Sequence, residues 1–116
     1  MKEETNMDAR SGALHEYDRA MTLAFPLALE EQIIDFLLDR PQWVQGFSLI
    51  DAQGMGRGAG LKSTIEKVRG RAQRRLMNIL MRQEDVMPLV EALREEFRSP
   101  DMAYWVTPLL SFGRMV

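Results

Sequence analysis

Apolar and polar positions change their period along this chain, and the changes mark out its elements. From Arg19 to Phe25, Met21, Leu23 and Phe25 alternate with Ala20, Thr22 and Ala24, the spacing of a strand with one apolar face. Pro26 ends that run and suits the entry to a helix. Over Leu27–Asp39 the period becomes helical. Leu27, Leu29, Ile33, Ile34, Leu37 and Leu38 recur on one side, with Glu30 and Glu31 in the early turns, where acids favour the helix dipole. Pro41 stops this helix. A second strand is read from Trp43 to Ala52 through Val44, Phe47, Leu49 and Ile50. A third starts near Ala72, where Met77, Ile79 and Met81 alternate with Leu76, Asn78 and Leu80. Its beginning, with Arg71, Arg74 and Arg75, reads as a solvated ribbon that prolongs the preceding loop. Val86, Leu89, Val90, Leu93 and Phe97 form the clearest helical stripe, with Glu84 and Asp85 as an acidic start and Pro88 in the first turn. Ser99-Pro100-Asp101 is a turn, and Met102–Thr107 is a fourth strand rich in Tyr104, Trp105 and Val106. Pro108 interrupts it, and a short apolar tail, Leu109–Val116, follows.

The order β-α-β, loop, β-α-β predicts an α+β ferredoxin-like fold, an antiparallel sheet with both helices on one face. Residues 19–116 form its single domain, and the polar, aperiodic residues 1–18 read as a flexible N-terminal tail. Adjacent side chains on a strand point to opposite faces, so one of Tyr104 and Trp105 leaves the helix-covered face. That surplus aromatic surface suits a contact with another protein surface.

Composition narrows the class. A chain of 116 residues, 46% hydrophobic and 28% charged, makes one globular domain with a modest core. Without cysteine it holds no disulfide, thiolate metal site or thiol nucleophile. No apolar run is long enough to cross a bilayer, and the N-terminus lacks the apolar segment of a secretory signal, so membrane insertion is not expected and a cytoplasmic location is.

Charge adds what the hydropathy pattern does not show. The stretch Gly54–Arg75 holds five of the eight glycines and seven of the fifteen Lys and Arg residues against one acid, Glu66. The net charge of −2 therefore conceals a cationic segment in an otherwise acidic chain. Glycines allow close backbone approach and clustered basic groups attract anions. The Gly/Arg-rich loop over 54–71 is thus the candidate site for an anionic ligand or a partner. A solvated loop without a ligand is the plain alternative.

Other chemistry fits poorly. Lys62 and Ser63 evoke a Walker loop, but Leu61 separates Gly60 from Lys62 and the spacing fails. Gly54, Gly56 and Ala59 match a permissive dinucleotide pattern with no crossover helix after it. His15 is the sole histidine, and Met21, Met77 and Met81 sit at packing positions, so no metal-ligand set is identified. The carboxylate pairs Glu30/Glu31, Glu84/Asp85 and Glu95/Glu96 read as solvated helix faces, and no nucleophile-base pair can be assembled; an enzyme is not indicated. The basic loop has no aromatic residue for base stacking and the remainder is acidic, which argues against a nucleic-acid partner.

Taken together, these residues resemble a known family. Gly54-Met55-Gly56-Arg57-Gly58-Ala59-Gly60 is similar to the Gly-x-Gly-Arg-x-x-Gly that opens the long T-loop of PII signalling proteins after their second strand. Gly46-Phe47, Val68-Arg69-Gly70-Arg71 and the ending Tyr104-Trp105-Val106-Thr107-Pro108 with Gly113-Arg114 look like a small PII-like family of bacterial proteins often encoded beside heavy-metal efflux systems. The resemblance covers residues 19–116. It implies a homotrimer whose sheets line a central core, with intersubunit clefts that in PII proteins hold adenine nucleotides, and a T-loop that docks on a target, often a transporter. On this chain it implies Gly54, Gly56 and Arg57 where the loop leaves the cleft, Gly60 and Lys62 farther along it, and Arg114 near the C-terminal phosphate-contacting basic residues.

The chain also departs from the nitrogen-sensing PII proteins. Gly58 stands where they carry a Gln that helps organise metal and 2-oxoglutarate. Arg98-Ser99-Pro100-Asp101 is far shorter than their phosphate loop, and the T-loop segment has no tyrosine. The expectation is a non-enzymatic regulatory module. The alternatives are a metal-tolerance adaptor responding to divalent cations and a structural interaction protein with an inert loop.

Overall fold

Strand β1 (Arg19–Pro26) runs through the middle of the sheet and is paired on both sides. The computed structural model describes residues 16–54 and 72–116. Beyond β1 it contains a 3₁₀ turn at Leu27–Leu29, helix α1 (Glu30–Leu38), β2 (Phe47–Gly54), β3 (Ala72–Met81), helix α2 (Gln83–Glu96) and β4 (Ala103–Pro108). The strands lie in the order β2-β3-β1-β4, and every neighbouring pair is antiparallel. The expected α+β ferredoxin-like arrangement is therefore present.

Register explains the core. Met21 lies opposite Ile79 and Leu23 opposite Met77, so these side chains share one face of the sheet. All four are buried, and with Phe25 and Met81 they pack against Ile33, Phe36 and Leu37 of α1 and Val86, Leu89, Val90 and Leu93 of α2. Both helices cover that face. Among the described residues no polar or charged side chain is buried with them.

The other face carries no helix. Ile50 opposes Leu76 there, and Thr22 opposes both Asn78 and Trp105. Thr22 Oγ1 donates to Asn78 Oδ1 at 2.8 Å, which satisfies the central polar pair. Around it the face is apolar and open: Ile50 is 44% exposed and Trp105 47%. Of the two adjacent aromatics, Tyr104 opposes Leu23 on the helix side and Trp105 lies on the free side.

Four local readings are corrected. The first helix begins at Glu30, after a 3₁₀ turn following Pro26, because i→i+3 bonding tightens the entry; Glu30 N–H donates to the Leu27 carbonyl. Strand β2 starts at Phe47 rather than Trp43. The chain first turns after α1, where the N–H groups of Trp43 and Val44 both donate to the Arg40 carbonyl, at 3.1 and 3.0 Å. Val44 is apolar because the turn plugs it into the core, not because it lies on a strand. Pro88 occupies the second turn of α2, since the helix starts at Gln83. Pro88 has no N–H to donate to the Glu84 carbonyl, which lies at an exposed position where water can serve.

The fourth correction concerns the arginines at the start of β3. Arg74 and Arg75 are paired in the sheet, opposite Ala52 and Asp51 of β2, and half-buried. Arg75 forms ion pairs with Glu30 of α1 and Asp51 of β2, tying the helix entry to the sheet. Because Arg75 and Glu30 are about three-quarters shielded, Arg75→Leu should cost about 1–2 kcal/mol in urea unfolding. An unchanged midpoint would mean that these ions are solvated in practice.

Candidate functional site

The two ends of the sheet differ in what they assemble. At one end β2 stops at Gly54, paired with Ala72 of β3, so the Gly/Arg-rich connection leaves and returns at neighbouring points. Arg74 reaches across this end and its Nη2 donates to the Asp101 carbonyl at 2.5 Å. That contact joins the base of the connection to the turn before β4. There Asp101 N–H donates to Ser99 Oγ at 3.1 Å and Met102 N–H to the Ser99 carbonyl at 3.2 Å.

At the opposite end residues 16–18 meet residues 109–114. Asp18 N–H donates to the Met81 carbonyl and Leu109 N–H to the Asp18 carbonyl, extending the ladder beyond β1 and β4. The Tyr17 ring meets Phe112 edge-on with centroids 4.8 Å apart. The Tyr17 hydroxyl donates to Gln45 Oε1 at 2.7 Å, and the Arg114 guanidinium lies 5.3 Å over the Phe112 ring. Arg114 Nη2 donates to Glu16 Oε2 at 3.0 Å. Burial, and then the Glu16 carboxylate, push the Tyr17 phenol above its ordinary range, while Arg114 acts the other way. The phenol is thus a neutral donor at physiological pH.

These groups surround a cleft of about 330 Å³ bordered by Tyr17, Gln45, Ser48, Asn78, Phe112 and Arg114. It opens at the end of the sheet and touches its free face through Ser48 and Asn78. It offers what a small anion with a planar body needs: a guanidinium 62% exposed, aromatic rings, and amide and hydroxyl groups.

Of the expected site residues, Gly54 and Arg114 are described, whereas Gly56, Arg57, Gly60 and Lys62 lie outside the described residues. Gly54 and Arg114 do not converge within one chain. Seven strand steps separate Phe47, beside Arg114, from Gly54, a distance of about 23 Å at roughly 3.3 Å per residue. Tyr17, Gln45, Ser48 and Asn78 had no sequence signal as a group. They come from a terminal segment, a loop and two strands, and only tertiary structure collects them. Among the described residues no group of three or more His, Cys, Asp or Glu could hold a metal ion, and no helix is long and apolar enough to cross a membrane.

The family model described as a protein of unknown function, DUF3240, matches residues 17–116. The chain belongs to the DUF3240 family. A DUF3240 protein from Shewanella baltica OS155 superposes with a TM-score of 0.68 at 19% identity, covering 86% of this chain and 98% of that one. CPII from Thiomonas intermedia K12, a nitrogen regulatory PII-like protein bound in its structure to ADP, AMP and bicarbonate, superposes at 0.62 and 21% identity. The match covers 85% of this chain and 96% of CPII. CutA1 from Pyrococcus horikoshii gives 0.63 at 12% identity, with 84% and 88% covered. A comparison with curated proteins finds no match. This DUF3240 chain therefore has the PII-like fold that its motifs resemble.

Proposed function

We propose that this DUF3240 protein is a non-enzymatic, cytoplasmic PII-like regulator that works as a homotrimer. It takes a small anionic ligand in clefts between subunits and passes ligand state to a protein target, a transporter or efflux component, through the Gly/Arg-rich loop. The observation that carries this reading is the separation of Gly54 from Arg114. Gly54 and Arg114, the two described residues proposed to meet one ligand, stand about 23 Å apart within one chain. Neighbouring subunits that pack their free sheet faces together can bring the loop end of one chain to the Arg114 end of the next. The domain division follows from the same reading: residues 19–116 form the module, the loop over 54–71 its output and residues 1–18 an appendage. CPII holds ADP, AMP and bicarbonate on this fold, so adenine nucleotides and bicarbonate are the first ligands to try.

The test begins with a thermal-shift screen of adenine nucleotides, 2-oxoglutarate, bicarbonate, phosphate and divalent metals on protein sized by light scattering. A ligand that binds only the folded state, at a hundred times its Kd, adds about 2.7 kcal/mol of apparent stability. Arg114→Ala and Arg57→Ala should each abolish most of the shift while leaving the ligand-free melting temperature almost unchanged. Trimers refolded from a mixture of the two variants should regain part of the binding, because some clefts then receive Arg57 from one subunit and Arg114 from the other. Failure of the mixture to bind, with both variants trimeric, would remove the shared cleft. A shift with metals alone would favour the metal-tolerance reading.

A further inference from the structure

Glu16 does not line the Arg114 cleft, yet its carboxylate accepts a hydrogen bond from Arg114 Nη2 at 3.0 Å. It lies one residue before the stretch that the family model matches. Among the described residues no other acid pairs with Arg114, and Arg114 is the only charged residue that borders the cleft. The Glu16 side chain is the more sheltered partner, 32% exposed against 62% for Arg114.

The backbone around this pair is fixed without its help. Asp18 joins the ladder through Met81 and Leu109, and its carboxylate accepts from the Gln83 N–H at 2.8 Å. Tyr17 is held by Gln45 and by the edge-on contact with Phe112. Among the described residues the Glu16 backbone joins no hydrogen bond, so its side chain can leave Arg114 while the ladder stays intact. An ion pair this open adds little to stability. Its consequence falls on the site instead. A carboxylate on a guanidinium is the contact that the head of an anionic ligand would make. Here the protein supplies that contact from its own chain.

We propose that Glu16 is an internal competitor for the Arg114 cleft: its carboxylate occupies the guanidinium of the ligand-free protein, and an incoming anion must displace it. The inference rests on the reading of Arg114 as an anion-binding residue. Displacement has its own signature. A tethered competitor weakens every anion by the same factor, because each must wait for the same pair to open. A carboxylate that acted only through its field would repel ligands more strongly as their charge grows.

The test compares the parent with Glu16→Gln, which keeps the shape of the side chain and removes its charge. Acetate, inorganic phosphate and ADP are titrated against both proteins by thermal shift. Each should bind about three- to fivefold more tightly to Glu16→Gln, the factor that an exposed ion pair can supply. The ligand-free melting temperature should not change. The double variant Glu16→Gln, Arg114→Ala should bind no better than Arg114→Ala alone. A readout without ligand separates this inference from the site itself. The carboxylate covers the guanidinium and holds it in the protonated, unreactive form. Phenylglyoxal should therefore modify Arg114, followed by peptide mass spectrometry, faster in Glu16→Gln than in the parent. If modification speeds up but no anion binds either protein, the anion site falls and the competitor role falls with it. If anions bind equally to parent and variant, or with a gain that climbs from acetate to ADP, the site stands and the proposal is overturned.

Discussion

Phe25→Ala should lower the stability of the domain by about 3–5 kcal/mol, the usual cost of truncating a buried aromatic ring. Phe25 is fully buried at the end of the central strand and belongs to the cluster that receives both helices. Its loss opens a cavity that β1, paired on both sides, cannot collapse to fill. For a domain of this size each kcal/mol shifts the melting temperature by about 4 °C or more, so a fall of about 12 °C or greater is expected. Leu110→Ala is the matched control. Leu110 is 99% exposed, and its truncation should stay within about 0.5 kcal/mol. Similar melting temperatures for the two variants would show that the core is not where the burial pattern puts it.

The pair Ile50→Asp, Leu76→Asp should convert the proposed trimer to a folded monomer. The two residues face each other across β2 and β3 on the side of the sheet without helices. Facing carboxylates there would have to be desolvated when free faces meet, at a cost of several kcal/mol. In a lone chain they would be hydrated and would repel each other only weakly. Light scattering should report a threefold drop in mass with circular dichroism unchanged. If the double variant keeps the parent mass, the free sheet face is not the assembly surface. Ligand shifts at the Arg114 cleft should vanish with the assembly.

The fold was legible wherever one side of an element met the core and the other met water. Met21, Leu23 and Phe25 in β1, Met77, Ile79 and Met81 in β3, and Val86, Leu89, Val90 and Leu93 in α2 are buried, as their spacing predicts. The reading failed where residues are apolar for another reason. Trp43 and Val44 look like strand residues because a turn inserts them into the core, and local sequence does not separate these cases. Arg74 and Arg75 look solvated, but partners distant in sequence, Asp101 for one and Glu30 for the other, draw them into the sheet.

The candidate site was read in a different way. The Gly/Arg motif after β2 and Gly113-Arg114 carried the family resemblance, the family model over residues 17–116 bears that resemblance out, and the structure places Gly54 and Arg114 at opposite ends of the sheet. What sequence could not supply is company. Tyr17, Gln45 and Asn78 are ordinary residues until the fold gathers them around Arg114.

The clasp that joins residues 16–18 to residues 109–114 also bears on how the domain assembles. β1, next to the edge of the sheet, gains its outer partner only when β4 docks, and the contacts beyond it join Asp18 to Leu109 and Glu16 to Arg114. The Glu16–Arg114 contact spans 98 residues of sequence. Until β4 docks, β1 presents an unpaired strand edge, and closing it depends on contacts of large sequence separation, the slow kind to form.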